Sequence, residues 1–243
     1  MDERQVCVEA LAAALTRLER AQRRGADPAL GGRLVALQDW QARRLAADYA
    51  DQRELPRRRA AVEFFLDEVY GAHDFTERDT QFARAIHRLR AMLPLPALQA
   101  LRDAIDLQAL TAELDVAVAE RLETSVAVLD DRAYAAAYRE TDRQVDRRRQ
   151  IDLALSIGRR LQNLTDHPSV ELLLRLSAAP ARLAGYAALQ TFIERGYAAF
   201  RQLGPEAGAF LAAIGDRENA FRQRMSATEP VATAAPVDTG VAG

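Results

Sequence analysis

The residues of this chain that invite chemistry are arginines, tyrosines and carboxylates that fall where an apolar helix face is expected. At 3.6 residues per turn, the stretch from 130 to 164 runs an inward line through Tyr134, Tyr138, Thr141 and Val145. Continued, that line reaches Arg148, Arg149 and Asp152. Near the C-terminus the line Phe210, Ile214, Arg217, Phe221, Met225 carries Arg217 in its middle. In 107–122, Leu107, Leu110, Leu114 and Val118 mark the core face, with Thr111 and Asp115 beside it. Desolvating a charge is costly, so each such group needs a partner.

Three readings of these groups stay open. As structural ion pairs, Arg148 would meet Asp152, Arg149 would meet Asp146, and Asp115 would serve a buried arginine, while the partner of Arg217 stays open. As an anion site, Arg148, Arg149 and Arg217 would join the hydroxyls of Tyr134 and Tyr138, because the planar arginine fork suits carboxylate and phosphate. As an acid–base site, Asp115 or Glu63 would work with a pKa moved by burial.

Much other chemistry is excluded. All 33 basic residues are arginine, so there is no Schiff-base lysine and no phosphate-binding lysine of a P-loop. Cys7 is the only cysteine, which excludes an internal disulfide and a cysteine-rich zinc site. The histidines, His73, His87 and His167, show no metal-ligand spacing, and the one arrangement to consider is His73 with Asp67 or Asp74. No glutamate has a histidine three residues later, as carboxylate-bridged di-iron bundles require. Asp130-Asp131 precedes Arg132-Ala133-Tyr134, which reads as a helix cap rather than a diphosphate-binding cluster. No metal and no cofactor are expected.

The elements that must position these groups are helices. Alanine, leucine, arginine and glutamate dominate, and they lose little side-chain freedom in a helix. The prolines punctuate the periodic stretches rather than interrupt them, and no period-2 pattern appears. The expectation is an all-α compact bundle of eight or nine helices, near 3–24, 30–52, 57–70, 76–92, 96–125, 130–164, 168–178, 180–202 and 205–225. The 130–164 helix changes its inward face, so it should kink or change packing partner near 150. The 180–202 helix carries apolar residues on two stripes and is expected to be central and buried. Its Gly185 and Gly196 suggest close approach of another helix or a small ligand in the groove. Phe64 points away from the Val62, Phe65, Leu66, Val69, Tyr70 face, so another helix or a second chain must cover it. Residues 1–225 read as one domain, and 226–243, small and rich in proline and threonine, as a disordered tail.

At 64–79 the chain reads FFLDEVYGAHDFTERD, with further blocks LQDWQARRL at 37–45, YR at 138–139, RQI at 149–151, LQTFIERGYAAF at 189–200 and FLAAIGDRE at 210–218. Together these resemble an uncharacterised family of bacterial all-helical proteins across roughly 34–225. The resemblance implies an all-helical fold and carries no activity. It also implies a glycine as the usual residue where this chain has Asp142.

The 33 basic and 35 acidic side chains nearly balance, which argues against a nucleic-acid partner. No run of about 18 apolar residues exists, so no membrane partner is expected. Met1-Asp2-Glu3-Arg4 lacks an apolar signal core, and a bacterial cytoplasmic location follows from that and the single thiol. The function expected first is a non-catalytic helical module for ligand sensing or protein interaction, including self-association as a homodimer. The first alternative is a binder of an anionic or amphipathic small molecule, held between the small-residue groove and the arginine–tyrosine cluster. The second is a carboxylate-based enzyme, with or without a metal.

Overall fold

A computed structural model describes residues 2–66, 95–123, 128–165 and 167–227. Helices fill nearly all of these residues, and no strand occurs among them. In chain order they are α1 (Glu3–Gly25), α2 (Pro28–Asp48), α3 (Ala50–Glu54), α4 (Pro56–Phe64), α5 (Leu95–Ala119), α6 (Asp131–Glu140), α7 (Gln144–Thr165), α8 (Pro168–Leu183), α9 (Ala187–Leu203), a 3-10 turn (Gly204–Glu206) and α10 (Ala207–Ser226). The protein is an all-α bundle. The expected 76–92 helix lies outside the described residues, as do His73, His87, Asp67, Asp74 and the chain after Ala227.

The helix starts have local causes. Asp2, Asp27 and Asp130 each accept a hydrogen bond from a first-turn amide, those of Arg4, Ala29 and Ala133 respectively. A carboxylate there satisfies an amide that has no partner within the helix. Pro28, Pro56 and Pro168 open α2, α4 and α8, where a missing N–H costs nothing.

Three helix boundaries differ from the sequence reading. The 130–164 helix is two helices, and the break lies at 141–143, ahead of 150. Asp142 has φ +46° there, the left-handed conformation that an aspartate tolerates and a glycine prefers. Helix 30–52 is divided at Tyr49 into α2 and α3. Pro180 starts no helix: α8 runs through it to Leu183. Its exposed position lets water take the carbonyl that the missing N–H leaves free. The true stop is Gly185, φ +81°, where the amides of Gly185 and Tyr186 bond to the carbonyls of Arg182 and Ala181. That is the paired-bond helix ending that a left-handed glycine permits.

The most enclosed helix is α5, where Leu98, Ile105, Ala109, Leu110, Leu114, Val118 and Ala119 are all sealed from solvent. In the 180–202 stretch burial concentrates near the C-terminal end of α9, at Gly196, Ala199 and Phe200, while Leu183 and Ile193 are exposed. Phe64 is covered within the chain. Its ring lies against Gly196, where an added Cβ would sit 2.9 Å from it, and against Phe192 at 5.3 Å. Helices α7 and α10 cross on a reciprocal notch: Leu211 fills the space above Gly158, and Leu155 the space above Gly215.

The core falls into three clusters. Cys7, Leu11 and Ala14 of α1 meet Leu98 and Ile105 of α5. Leu45, Tyr49 and Val62 meet Phe200, Leu203 and Phe210. The third gathers Leu37 and Trp40 of α2, Val118 of α5, Tyr134 and Tyr138 of α6, and Phe221 and Met225 of α10. The polar groups of interest line this third cluster.

Candidate functional site

Helix α5 supplies Asp115 to the third cluster, 9 % exposed. Its Oδ1 accepts from Gln41 Nε2 at 2.9 Å. Helix α6 supplies Tyr134 and Tyr138 on one face, four residues apart, both buried. The Tyr134 ring stacks on Trp40 at 3.9 Å, and the Trp40 Nε1–H donates to Asp131 Oδ1 at 3.0 Å. Helix α7 supplies Arg147, 7 % exposed, with its guanidinium 4.9 Å from the centre of the Tyr138 ring. A second polar group abuts this one. Arg44 holds Glu218 through both terminal nitrogens, at 2.8 and 3.1 Å, and Asp48 at 3.2 Å, and the Tyr49 hydroxyl donates to Glu218 at 3.0 Å.

The sequence-predicted residues divide between this cluster and the surface. Asp115, Tyr134 and Tyr138 come together in the core. Arg148, Arg149 and Arg217 do not join them. Arg148 and Arg149 are exposed, and Arg149 pairs with Asp106, which with Glu113 also holds Arg17. Asp146, expected to meet Arg149, pairs with Arg143. Arg217 reaches the edge of the bundle, its side chain 29 % exposed, and forks onto Asp51 at 2.6 Å, itself 60 % exposed. Those bonds hold the Asp51 carboxyl well below the usual carboxylate range. The physical reason for the misplacement on α7 is the break at Asp142. It resets the helix phase, so Arg147 turns inward and Val145 outward. Arg217 lies on the predicted line, but its long stem carries the charge out to solvent. Glu63 is half-exposed beside Arg53 rather than buried. Asp130 caps α6 as expected.

The sequence reading missed Gln41, Arg44, Arg147 and Glu218. A signal was present: the blocks LQDWQARRL, YR and FLAAIGDRE supply Trp40, Gln41, Arg44, Tyr138 and Glu218, and they converge here.

Burial sets the electrostatics. Desolvation raises the Asp115 carboxyl above its ordinary value, against the Gln41 bond and the Arg147 charge, both of which lower it. Burial pushes the Tyr134 phenol up to about 12, and the Tyr138 phenol also upward. Neither tyrosine supplies a phenolate at neutral pH. Among the described residues no three His, Cys, Asp or Glu side chains form a metal-holding group.

The Asp115 shift has a measurable sign. The folded protein holds this proton more tightly than the unfolded chain, whose aspartates titrate near about 4. The associated stability is complete below that pH and is lost as pH rises through the raised folded value. Asp115→Asn keeps an acceptor for Gln41 and has no such loss. The advantage of the variant over wild type in urea unfolding should therefore grow as pH rises from about 4, then level off. A difference independent of pH would mean that Asp115 is solvated.

Two further features lie at α8. Between α8 and α9 is a cleft of about 460 Å³, lined in part by Glu171, Glu194, Tyr197 and Arg201. Glu171 there already pairs with Arg175 and Arg201. The outer face of α8 is apolar, with Leu172, Leu173, Leu176 and Leu183 all exposed.

The fold and the cluster together define an all-α bundle whose core buries Asp115, Tyr134, Tyr138 and Arg147. By sequence the chain belongs to the family described as a domain of unknown function, DUF8198, whose model matches residues 20–232. No curated protein and no solved structure matches it. Among the described residues no helix is long and apolar enough to cross a membrane.

Proposed function

We propose that this protein is a non-catalytic cytoplasmic helical module that acts through protein contact, and that its first partner is a second copy of itself. The observation that carries the reading is the outer face of α8. Single exposed apolar residues are ordinary on a protein surface, but a contiguous row is not. Leu172, Leu176, Ala179 and Leu183 follow one another at spacings of four, three and four, all exposed. That 3.5-residue repeat is the seam one helix offers another.

The row is complementary to itself. Two copies of α8 set antiparallel across a two-fold axis place Leu172 beside the partner's Leu183 and Leu176 beside the partner's Ala179. Each pair recurs with the copies exchanged, as a two-fold interface requires. The buried free thiol of Cys7 suits a reducing compartment.

Sedimentation equilibrium tests this. Wild type should sediment as a dimer at micromolar concentration, and Leu172→Glu/Leu176→Glu as a monomer with unchanged helical circular dichroism. A wild-type monomer at about 100-fold higher concentration, weaker than about 5.5 kcal/mol of association, would end the proposal.

A further inference from the structure

The cleft between α8 and α9 has room for a small molecule and opens to solvent. Its volume of about 460 Å³ lies within the roughly 300–1,000 Å³ of ligand sites. Glu171, Leu174 and Arg175 line it from α8, and Glu194, Tyr197 and Arg201 from α9.

Its two ends differ in charge. At one end Arg175 and Arg201 share a single acid, Glu171, each on a different carboxylate oxygen. Two cations on one anion leave a positive excess there. The arginine side chains are 75 % and 55 % exposed. Ion pairs that open contribute little, so either fork is free to turn onto another carboxylate. The other end presents an acid held in place. Gln190 is buried, and its Nε2 donates to the Leu174 carbonyl at 3.1 Å and to Glu194 Oε1 at 2.9 Å. Glu194 Oε2 makes no hydrogen bond among the described residues. Arg182, which is not part of the lining, stops at 3.6 Å from it.

Tyr197 lies between the ends on the same face of α9, three residues after Glu194 and four before Arg201. Its hydroxyl has no partner among the described residues. Glu194 and Arg201 are two turns apart, about 10 Å along the axis. A free amino acid carries both charges on one carbon and spans too little to engage both ends. Two extended residues span about 7 Å, which the side chains reach from either end.

We propose that the α8–α9 cleft binds a short zwitterionic peptide. Its C-terminal carboxylate lies on Arg175 and Arg201, its N-terminal ammonium on Glu194 Oε2, and its apolar side chain against Tyr197. Glu171 is the occupant that the peptide's carboxylate displaces. The leucine row is on another face: Leu172 and Leu176 each follow a cleft residue by one, a turn of about 100°. Binding here and self-association therefore stand or fall separately.

Titration calorimetry tests the site on the full chain, with glycyl-phenylalanine as probe. The same peptide acetylated at its N-terminus, and the same peptide amidated at its C-terminus, each lack one charge. Wild type should bind one glycyl-phenylalanine per chain with a Kd of about 1 mM or tighter, and each blocked form at least about tenfold more weakly. Glu194→Gln should weaken the free peptide and leave the acetylated one unchanged. Arg201→Gln should weaken both. Glu171→Gln removes the competing acid, so the free peptide should bind a few-fold tighter, which a merely structural role for Glu171 would not produce. All three variants lie at open positions and should keep the wild-type circular dichroism. Three results would each overturn the site: no binding heat at about 10 mM peptide, blocked peptides that bind as well as the free one, or weaker binding in a folded Glu171→Gln.

Discussion

Replacing Glu218 with alanine should lower the unfolding free energy by about 3–5 kcal/mol, because it strands a buried cation. Arg44 sits between α2 and α10 with its side chain 15 % exposed. Glu218 takes both of its terminal nitrogens and also accepts the Tyr49 hydroxyl. Without Glu218, the ion pair left to Arg44 among the described residues is Asp48 at 3.2 Å, beside the Phe221 ring at 4.2 Å, and the Tyr49 hydroxyl loses this acceptor. The cost belongs to the orphaned charge rather than to the pair. Replacing both partners, Arg44→Leu with Glu218→Leu, should therefore come much closer to neutral. The neighbouring Arg217→Ala gives the contrast. It removes a fork onto an exposed aspartate and a ring contact with Tyr49 at 5.4 Å, which should cost about 1 kcal/mol or less. Urea unfolding followed at 222 nm measures all three variants. A Glu218→Ala loss as small as that of Arg217→Ala would show that the Arg44 pair is solvated.

Trp40→Ala should cost a similar amount, about 3–5 kcal/mol, by a different route. The indole is buried, stacked on Tyr134 at 3.9 Å, and 6.2 Å from Phe221. Its N–H also ties α2 to Asp131 in the first turn of α6. Truncation opens a cavity between three helices and unties one of them. Trp40→Phe keeps most of the volume and loses the hydrogen bond, so it separates the two effects. It should retain most of the stability, with a loss of about 1 kcal/mol for the missing bond. If the phenylalanine variant fell as far as the alanine variant, the bond to Asp131 would be the dominant contribution, and packing would not.

The helical class was legible because composition and caps agree. Asp130-Asp131 announces a helix start in the sequence and makes one in the structure. The members of the polar cluster were half legible. Tyr134, Tyr138 and Asp115 lie on unbroken helices, where counting by 3.6 holds. Arg147 was missed because the count was carried from α6 into α7 across Asp142, and one left-handed residue changes the phase of everything after it. Gln41, Arg44 and Glu218 were invisible to periodicity for another reason. Each is polar at the margin of an apolar face, and whether such a group turns in or out depends on which helix lies opposite. The length of α8 was misjudged for a third reason: Pro180 reads as a boundary, yet an exposed proline within a helix needs only water on the freed carbonyl.

The seam between α1 and α5 also governs how the chain is made. Arg17 and Glu113 join across 96 positions, and translation at about 5–20 residues per second takes about 5–20 s to cover that span. During that interval α1 has left the ribosome without the helix that covers it. Leu11, Ala14 and the Cys7 thiol are then open to chaperones and oxidants. Once α5 docks they are sealed, and the thiol that is reachable on the nascent chain is inert in the finished protein.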